Sequence, residues 1–144
     1  MNFDIKFKNN EPNREIALGS IAIGNETDFF ESSLSYWSKE QYEKQWIDGC
    51  QRICRGENIS ALITSMYDPI KANFIIWRPL YVKHEIVIAH EQILFIDELG
   101  KTFSEESLYE HVIQRKNSDE DGNAISEWKT NVHEIQKWLN ANPG

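Results

Sequence analysis

The sequence predicts an α+β fold: a single domain over residues 1–144 with a central antiparallel sheet packed against helices. Three observations carry this. The chain opens with short segments of apolar alternation. A long stretch of helical periodicity follows, from Ser38 to Arg55. A run of apolar, β-branched segments then fills the middle. The order is strands, helix, antiparallel strands, helix, strand, helix, which is that of an α+β protein rather than a strictly alternating one.

The first strands are read at Phe3-Ile5-Phe7, Ile16-Leu18 and Ile21-Ile23, with Gly19 and Gly24 as punctuation. Asn25 to Ser35 reads as a polar loop or a short helix. At Ser38, Gln41 three residues on makes a capping box. Tyr42, Trp46, Cys50, Ile53 and Cys54 then share one helical face, and Gly56 ends the helix. Ile59–Met66 and Phe74–Val82 read as strands, with Pro79 implying a bulge or an edge. Lys83-His84 reads as a tight turn and Glu85–Phe95 as a third strand. Ser104 caps a short helix to about Val112. Asn117–Asn123 is an acidic loop and Ala124–Lys129 a short strand. Asn131 with Glu134 opens a last helix to Leu139, buried through Ile135, Trp138 and Leu139, before a fraying tail.

Composition limits the function classes. The chain has 144 residues, 40% of them hydrophobic, with 5 Trp, 5 Tyr and 7 Phe, enough for a core without staples. It has no apolar run long enough to span a membrane and no signal-peptide pattern, so a cytoplasmic location is expected. The net charge of −8 argues against direct nucleic-acid binding, which needs basic surface to meet phosphates. It suits a basic partner. Cys50 and Cys54, four apart, are expected as core residues of the helix rather than a metal or redox pair.

No motif has the spacing that catalysis requires, so neither enzyme activity nor a metal or cofactor is expected. His84-Glu85 and His90-Glu91 echo H-E-x-x-H, but the histidines are six apart on a predicted strand. That places them roughly 20 Å apart, too far to share one ion. Gly100-Lys101-Thr102 looks like the end of a phosphate loop, yet Phe95 stands where that motif needs glycine. A turn is the plainer reading. The carboxylates Glu105 and Glu106 at a helix start favour the helix dipole and need no acid–base role.

Charge distribution says more. From Asp97 to Glu127 there are nine acidic and three basic residues. A second acidic run is Glu26, Asp28 and Glu31. These segments are either solvated loops or a docking face for a basic protein. If they dock, Asp119, Glu120 and Asp121 are the first candidates, and Glu105, Glu106, Asp97 and Glu98 the second.

Several segments resemble the immunity proteins of contact-dependent growth inhibition systems in Gram-negative bacteria. They begin near Gly19-Ser20-Ile21-Ala22-Ile23-Gly24, and are strongest at Ser35-Tyr36-Trp37 leading into Tyr42 and Trp46. They continue through Leu62–Pro69, Asn73-Phe74-Ile75, Trp77 and Leu80-Tyr81, and end at Ile125-Ser126-Glu127-Trp128. The resemblance implies a protein made beside a large adhesin whose C-terminal domain is a toxin, commonly a nuclease acting on tRNA or DNA. It implies binding of that toxin in the cytoplasm and its neutralisation, and one-to-one binding is expected. Trp37, Trp46, Trp77 and Trp128 would then belong mainly to the scaffold. Two other readings compete: a small enzyme with a site around His84, His90 and Glu91, and an adaptor domain with a different partner.

Overall fold

The computed structural model describes residues 2–8, 15–99 and 102–143. Its strands form two antiparallel sheets. The first orders β1 (Phe3–Phe7), β2 (Ile16–Ile23) and β3 (Glu26–Ser33) in sequence. In the second, β4 (Ile59–Ser65), β5 (Phe74–Lys83), β6 (Ile86–Ala89) and β8 (Trp128–Asn131) lie side by side. β7 (Gln92–Phe95) pairs with the other half of β5. Two α-helices, α1 (Lys39–Cys54) and α2 (Val132–Ala141), complete the α+β fold. The predicted Gly100-Lys101-Thr102 turn lies, in its first two residues, outside the described residues.

The segment read as a loop or short helix, Asn25–Ser35, is instead the edge strand β3. Gly24-Asn25 makes a two-residue turn that sets Ile23 opposite Glu26, and Gly24 takes φ +64° there. From Asp28 to Ser32 the strand alternates between half-buried or buried and exposed residues, with Asp28, Phe30 and Ser32 turned inward. β3 ladders with β2, and its outward positions Thr27 and Glu31 are polar, with Phe29 apolar between them, so no clean alternation marks the strand. The segments on either side of Gly19 are one continuous strand, β2.

The expected third strand, Glu85–Phe95, is split. β6 pairs with Leu80–Lys83 and β7 with Phe74–Trp77, and the ladder breaks where His90 and Glu91 pass Arg78 and Pro79. Proline has no N–H to offer there, and the one bond that forms runs from the His90 amide to the Pro79 carbonyl at 3.0 Å. The last strand begins only at Trp128, not at Ala124, and leads straight into Asn131, the N-cap of α2. α2 runs two residues past Leu139, and Leu139 is only half-buried.

α1 has the predicted capping box at Ser38 and Gln41 and buries Tyr42, Trp46, Cys50 and Ile53. Cys54 is only half-buried. Two further residues on this face, Gln45 and Gly49, are also buried. Their role is to close the outer edge of β4. The Gln45 amide donates to the Ala61 carbonyl at 2.8 Å and accepts from the Ile63 N–H at 2.7 Å. Trp46 Nε1 donates to the Ile63 carbonyl at 2.7 Å. The Tyr42 hydroxyl accepts from the Met66 N–H at 2.8 Å and donates to the Ser33 carbonyl at 2.6 Å. Helix side chains thus satisfy backbone groups that a neighbouring strand would otherwise hold. Burial pushes the Tyr42 hydroxyl up to about 12.

The core lies between these layers. Ile5 and Ile21 of the first sheet, Ile63, Ile75 and Trp77 of the second, Trp46 of α1 and Ile135 of α2 are all buried in it. Phe3 meets Trp138 edge-on at 5.8 Å and ties α2 to β1.

Candidate functional site: acidic loops and their braces

The acidic segments named from the sequence are all on the surface, but they differ in what their carboxylates do. Asp119 shapes its own loop. Its Oδ1 accepts from the amides of Asp121 and Asn123, both at 2.9 Å. With a bridge between Ser118 and Ala124 and Gly122 at φ +82°, this makes a tight hairpin with Glu120 and Asp121 at its tip. Glu105 is a brace. Its two oxygens accept from the Tyr36 hydroxyl at 2.7 Å and from Trp37 Nε1 at 3.0 Å, fastening a 3₁₀ segment (Glu105–His111) to the chain just ahead of α1. The bond to Glu105 raises the Tyr36 pKa, helped by partial burial. Among the described residues, no hydrogen bond or ion pair reaches the carboxylates of Asp97, Glu98, Glu106, Glu120 or Asp121.

The three acidic segments are anchored at different places. The 3₁₀ turn Ile96–Glu98 is held by the Asp97 amide, which donates to Asn73 Oδ1 at 2.9 Å. Glu105 is held beside Trp37. The hairpin is held at its base by Arg115 and Glu127. Arg115 Nε and a terminal nitrogen donate to the two Glu127 oxygens at 2.7 and 2.8 Å. Glu127 Oε2 also lies 2.8 Å from His90 Nε2 at the end of β6. The Arg115 bonds, with His90 adding to them, outweigh burial and pull the Glu127 carboxyl down to about 2. Tyr81 packs on the His90 ring at 5.1 Å and donates to the Ile113 carbonyl at 2.8 Å, closing the brace.

A second brace joins the two sheets. The Arg78 side chain is 1% exposed, and a terminal guanidinium nitrogen lies 2.7 Å from Asp28 Oδ2 of β3 and 2.8 Å from Glu91 Oε2. Burial pulls the Asp28 carboxyl up, but the Arg78 bond and the Phe29 amide prevail and leave it below its ordinary value. Neither Arg78 nor Glu127 stands out in the sequence. The signal for Arg78 was a cation inside an otherwise apolar strand, which requires paired carboxylates.

The residues of the competing enzyme reading do not converge. His84 is exposed in the β5–β6 turn at φ 58°. His90 faces Glu127, and Glu91 faces Arg78. His111 is buried and stacks on Phe103 with ring centroids 5.2 Å apart. Among the described residues, no three or more His, Cys, Asp and Glu side chains gather as metal ligands. Cys50 is buried, and burial pushes its thiol well up.

What remains is an α+β body with charged surface loops braced from within. The model of the CdiI N-terminal domain family matches residues 32–138, and the chain belongs to this family of immunity proteins, not of enzymes. A relative described as immunity protein CdiI, from Enterobacter cloacae subsp. cloacae, is 33% identical over 116 residues, covering 81% of this chain and 79% of the relative. A chain in the solved CdiA-CT/CdiI toxin and immunity complex from Enterobacter cloacae superposes with a TM-score of 0.84 at 29% identity. The match covers 96% of this chain and 97% of that one. No helix among the described residues is long and apolar enough to cross a membrane.

Proposed function

We propose that this chain, acting as a single domain in the cytoplasm, binds one cognate CdiA-CT-type toxin domain, one-to-one, and neutralises it. The observation that carries the reading is the match, over nearly the full length of both chains, to a member of a toxin–immunity complex. The toxin is a basic nuclease in this reading. A domain that acts on an anionic nucleic acid carries positive surface, and a partner of net charge −8 is drawn to it and can cover it. A cell that makes such a toxin needs slow release, so an affinity on the order of nanomolar or tighter is expected, about −12 kcal/mol. The exposed acids Asp119, Glu120 and Asp121 are the first candidates for contact, with Glu105, Glu106, Asp97 and Glu98 next. Support for the second group is uneven, since Glu105 is held by Tyr36 and Trp37.

The test is to co-express the chain with the C-terminal domain of the adhesin encoded beside it. Survival of the cells, a stoichiometric complex on a sizing column, and intact tRNA, rRNA and DNA are expected. Toxin alone should degrade one of these nucleic acids. Cell death despite co-expression would overturn the immunity reading. A toxin that kills without cleaving any nucleic acid would overturn only the nuclease assignment.

A further inference from the structure

An open groove of about 770 Å³ runs between β3 and the outer face of the second sheet. Among polar lining residues such as Thr64 and Tyr67 it holds large apolar side chains that stand open to solvent. Phe29 of β3 is 62% exposed, and Ile93 of β7 is 51% exposed. Phe30 and Ile76 also line the groove. Phe95, two residues beyond Ile93 and therefore on the same face of β7, is 42% exposed. Among the described residues β7 pairs with β5 and no strand lies on its outer side. Apolar side chains clustered this way and rimmed by polar ones mark contact sites, whereas single exposed apolar residues do not.

The rim gives the partner's chemistry. Glu31 and Glu91 line the groove, and both are exposed. The nearby cation Arg78 is drawn inside, its side chain 1% exposed, while Asp28 and Glu91, which hold it, are about half exposed. Lys8, another cation among the described residues, lies over the Phe29 ring at 4.5 Å. Glu31 and Glu91 thus stand at the solvent edge of the groove, around its apolar side chains. Such a surface fits a protein segment with an apolar side chain flanked by lysine or arginine: the floor desolvates the anchor and the rim pairs the charges. We propose that this groove seats a basic segment of the toxin domain, with Phe29 and Ile93 as the anchoring contacts and Glu31 as the rim contact. The inference rests on the toxin-binding reading and adds a surface outside the acidic loops from residue 97 onward.

The experiment uses the intact chain and an inactivated form of the toxin domain encoded beside it, titrated by calorimetry. The Phe29→Ser, Ile93→Ser double variant should bind at least 100-fold more weakly, and Glu31→Lys at least 10-fold more weakly, with circular dichroism unchanged. Hydrogen exchange on the wild-type complex should slow across Glu26–Ser33 and Gln92–Phe95, a readout that holds even if the double variant misfolds. Wild-type binding with no protection of these strands, and affinities of the variants within threefold, would overturn the groove and leave the toxin reading standing. No wild-type binding at all would overturn the reading on which the groove depends. A wild-type dimer broken by the double variant, with toxin affinity unchanged, would overturn the assignment in favour of self-association.

Discussion

Arg115 grips Glu127 at two points, 2.7 and 2.8 Å, and so pins both ends of the acidic hairpin to one another and to His90. Two-point guanidinium–carboxylate pairs are directional as well as charged. The Glu127 carboxyl is lowered to about 2 by the Arg115 bonds, with His90 contributing. A lowered carboxylate stabilises the folded state fully above its unfolded pKa of about 4.3, and that stability is lost as pH falls through the folded value. Glu127→Gln should therefore cost about 1–2 kcal/mol at pH 7, allowing for screening of a partly exposed pair. The cost should shrink as pH falls from about 4.3 towards 2. Urea melts of both proteins across this range check it. Equal stability at pH 7 would mean the pair does not hold the hairpin.

Gln45 makes a different kind of contact, a side-chain amide standing in for a strand. Gln45→Leu keeps much of the volume but leaves the Ala61 carbonyl and the Ile63 N–H, both in fully buried residues, without partners. The expected cost is about 2–4 kcal/mol. Trp46→Ala, at 1% exposure and with its own bond to the Ile63 carbonyl, should cost about 3–5 kcal/mol. Chemical denaturation of the two single variants and the double should show less than additive loss, because both close the same edge. Full additivity would mean that they act independently.

Gly49 is the close-approach point of that helix. In an exposed helix interior, Gly→Ala gains about 1 kcal/mol. Here a Cβ would stand 2.6 Å from the Ala61 carbonyl oxygen and 3.0 Å from a Leu62 methyl. The first of these is backbone in a paired strand and cannot move aside cheaply. Overpacking of about 1–3 kcal/mol or more should prevail, so Gly49→Ala should lower the melting temperature. A rise would show that α1 sits further from β4.

These two helix residues show where the sequence was legible and where it was not. The apolar face of α1, its cap at Ser38 and the strands from Ile59 to Val82 follow from local periodicity, which one segment carries by itself. Gln45 and Gly49 are buried because of what β4 presents to them, and a polar residue and a glycine give no periodic signal. β3 was hidden for the same reason, as an edge strand with one laddered side. The acidic segments were legible as charge, but not the division among them. Only the fold shows that Glu105 is bonded to Tyr36 and Trp37 while Glu106 beside it is not. Phe29 falls in the segment read as a polar loop or short helix, and Ile93 reads as an ordinary strand residue. Their joint exposure along one groove depends on how the two sheets meet.

The acidic hairpin gives the last prediction, and the structure sharpens how it must be tested. Asp119 Oδ1 holds two backbone amides, so Asp119→Ala would loosen the loop as well as remove a charge. Asp119→Asn keeps an acceptor in the same place. Combined with Glu120→Gln and Asp121→Asn, it removes three charges from an intact tip. If these carboxylates steer a basic toxin from the rim of the contact, association should slow by roughly threefold to tenfold at low salt and its salt dependence should flatten, with dissociation little changed. If one of them is instead buried against a toxin lysine or arginine, dissociation should quicken and the loss should reach about 2–5 kcal/mol. Stopped-flow or surface binding kinetics at two salt concentrations, with rescue of toxin-expressing cells as the cellular readout, separate the two. Association, dissociation and rescue all unchanged would remove the hairpin from the contact, and the Glu26–Glu31 segment beside the groove would take its place.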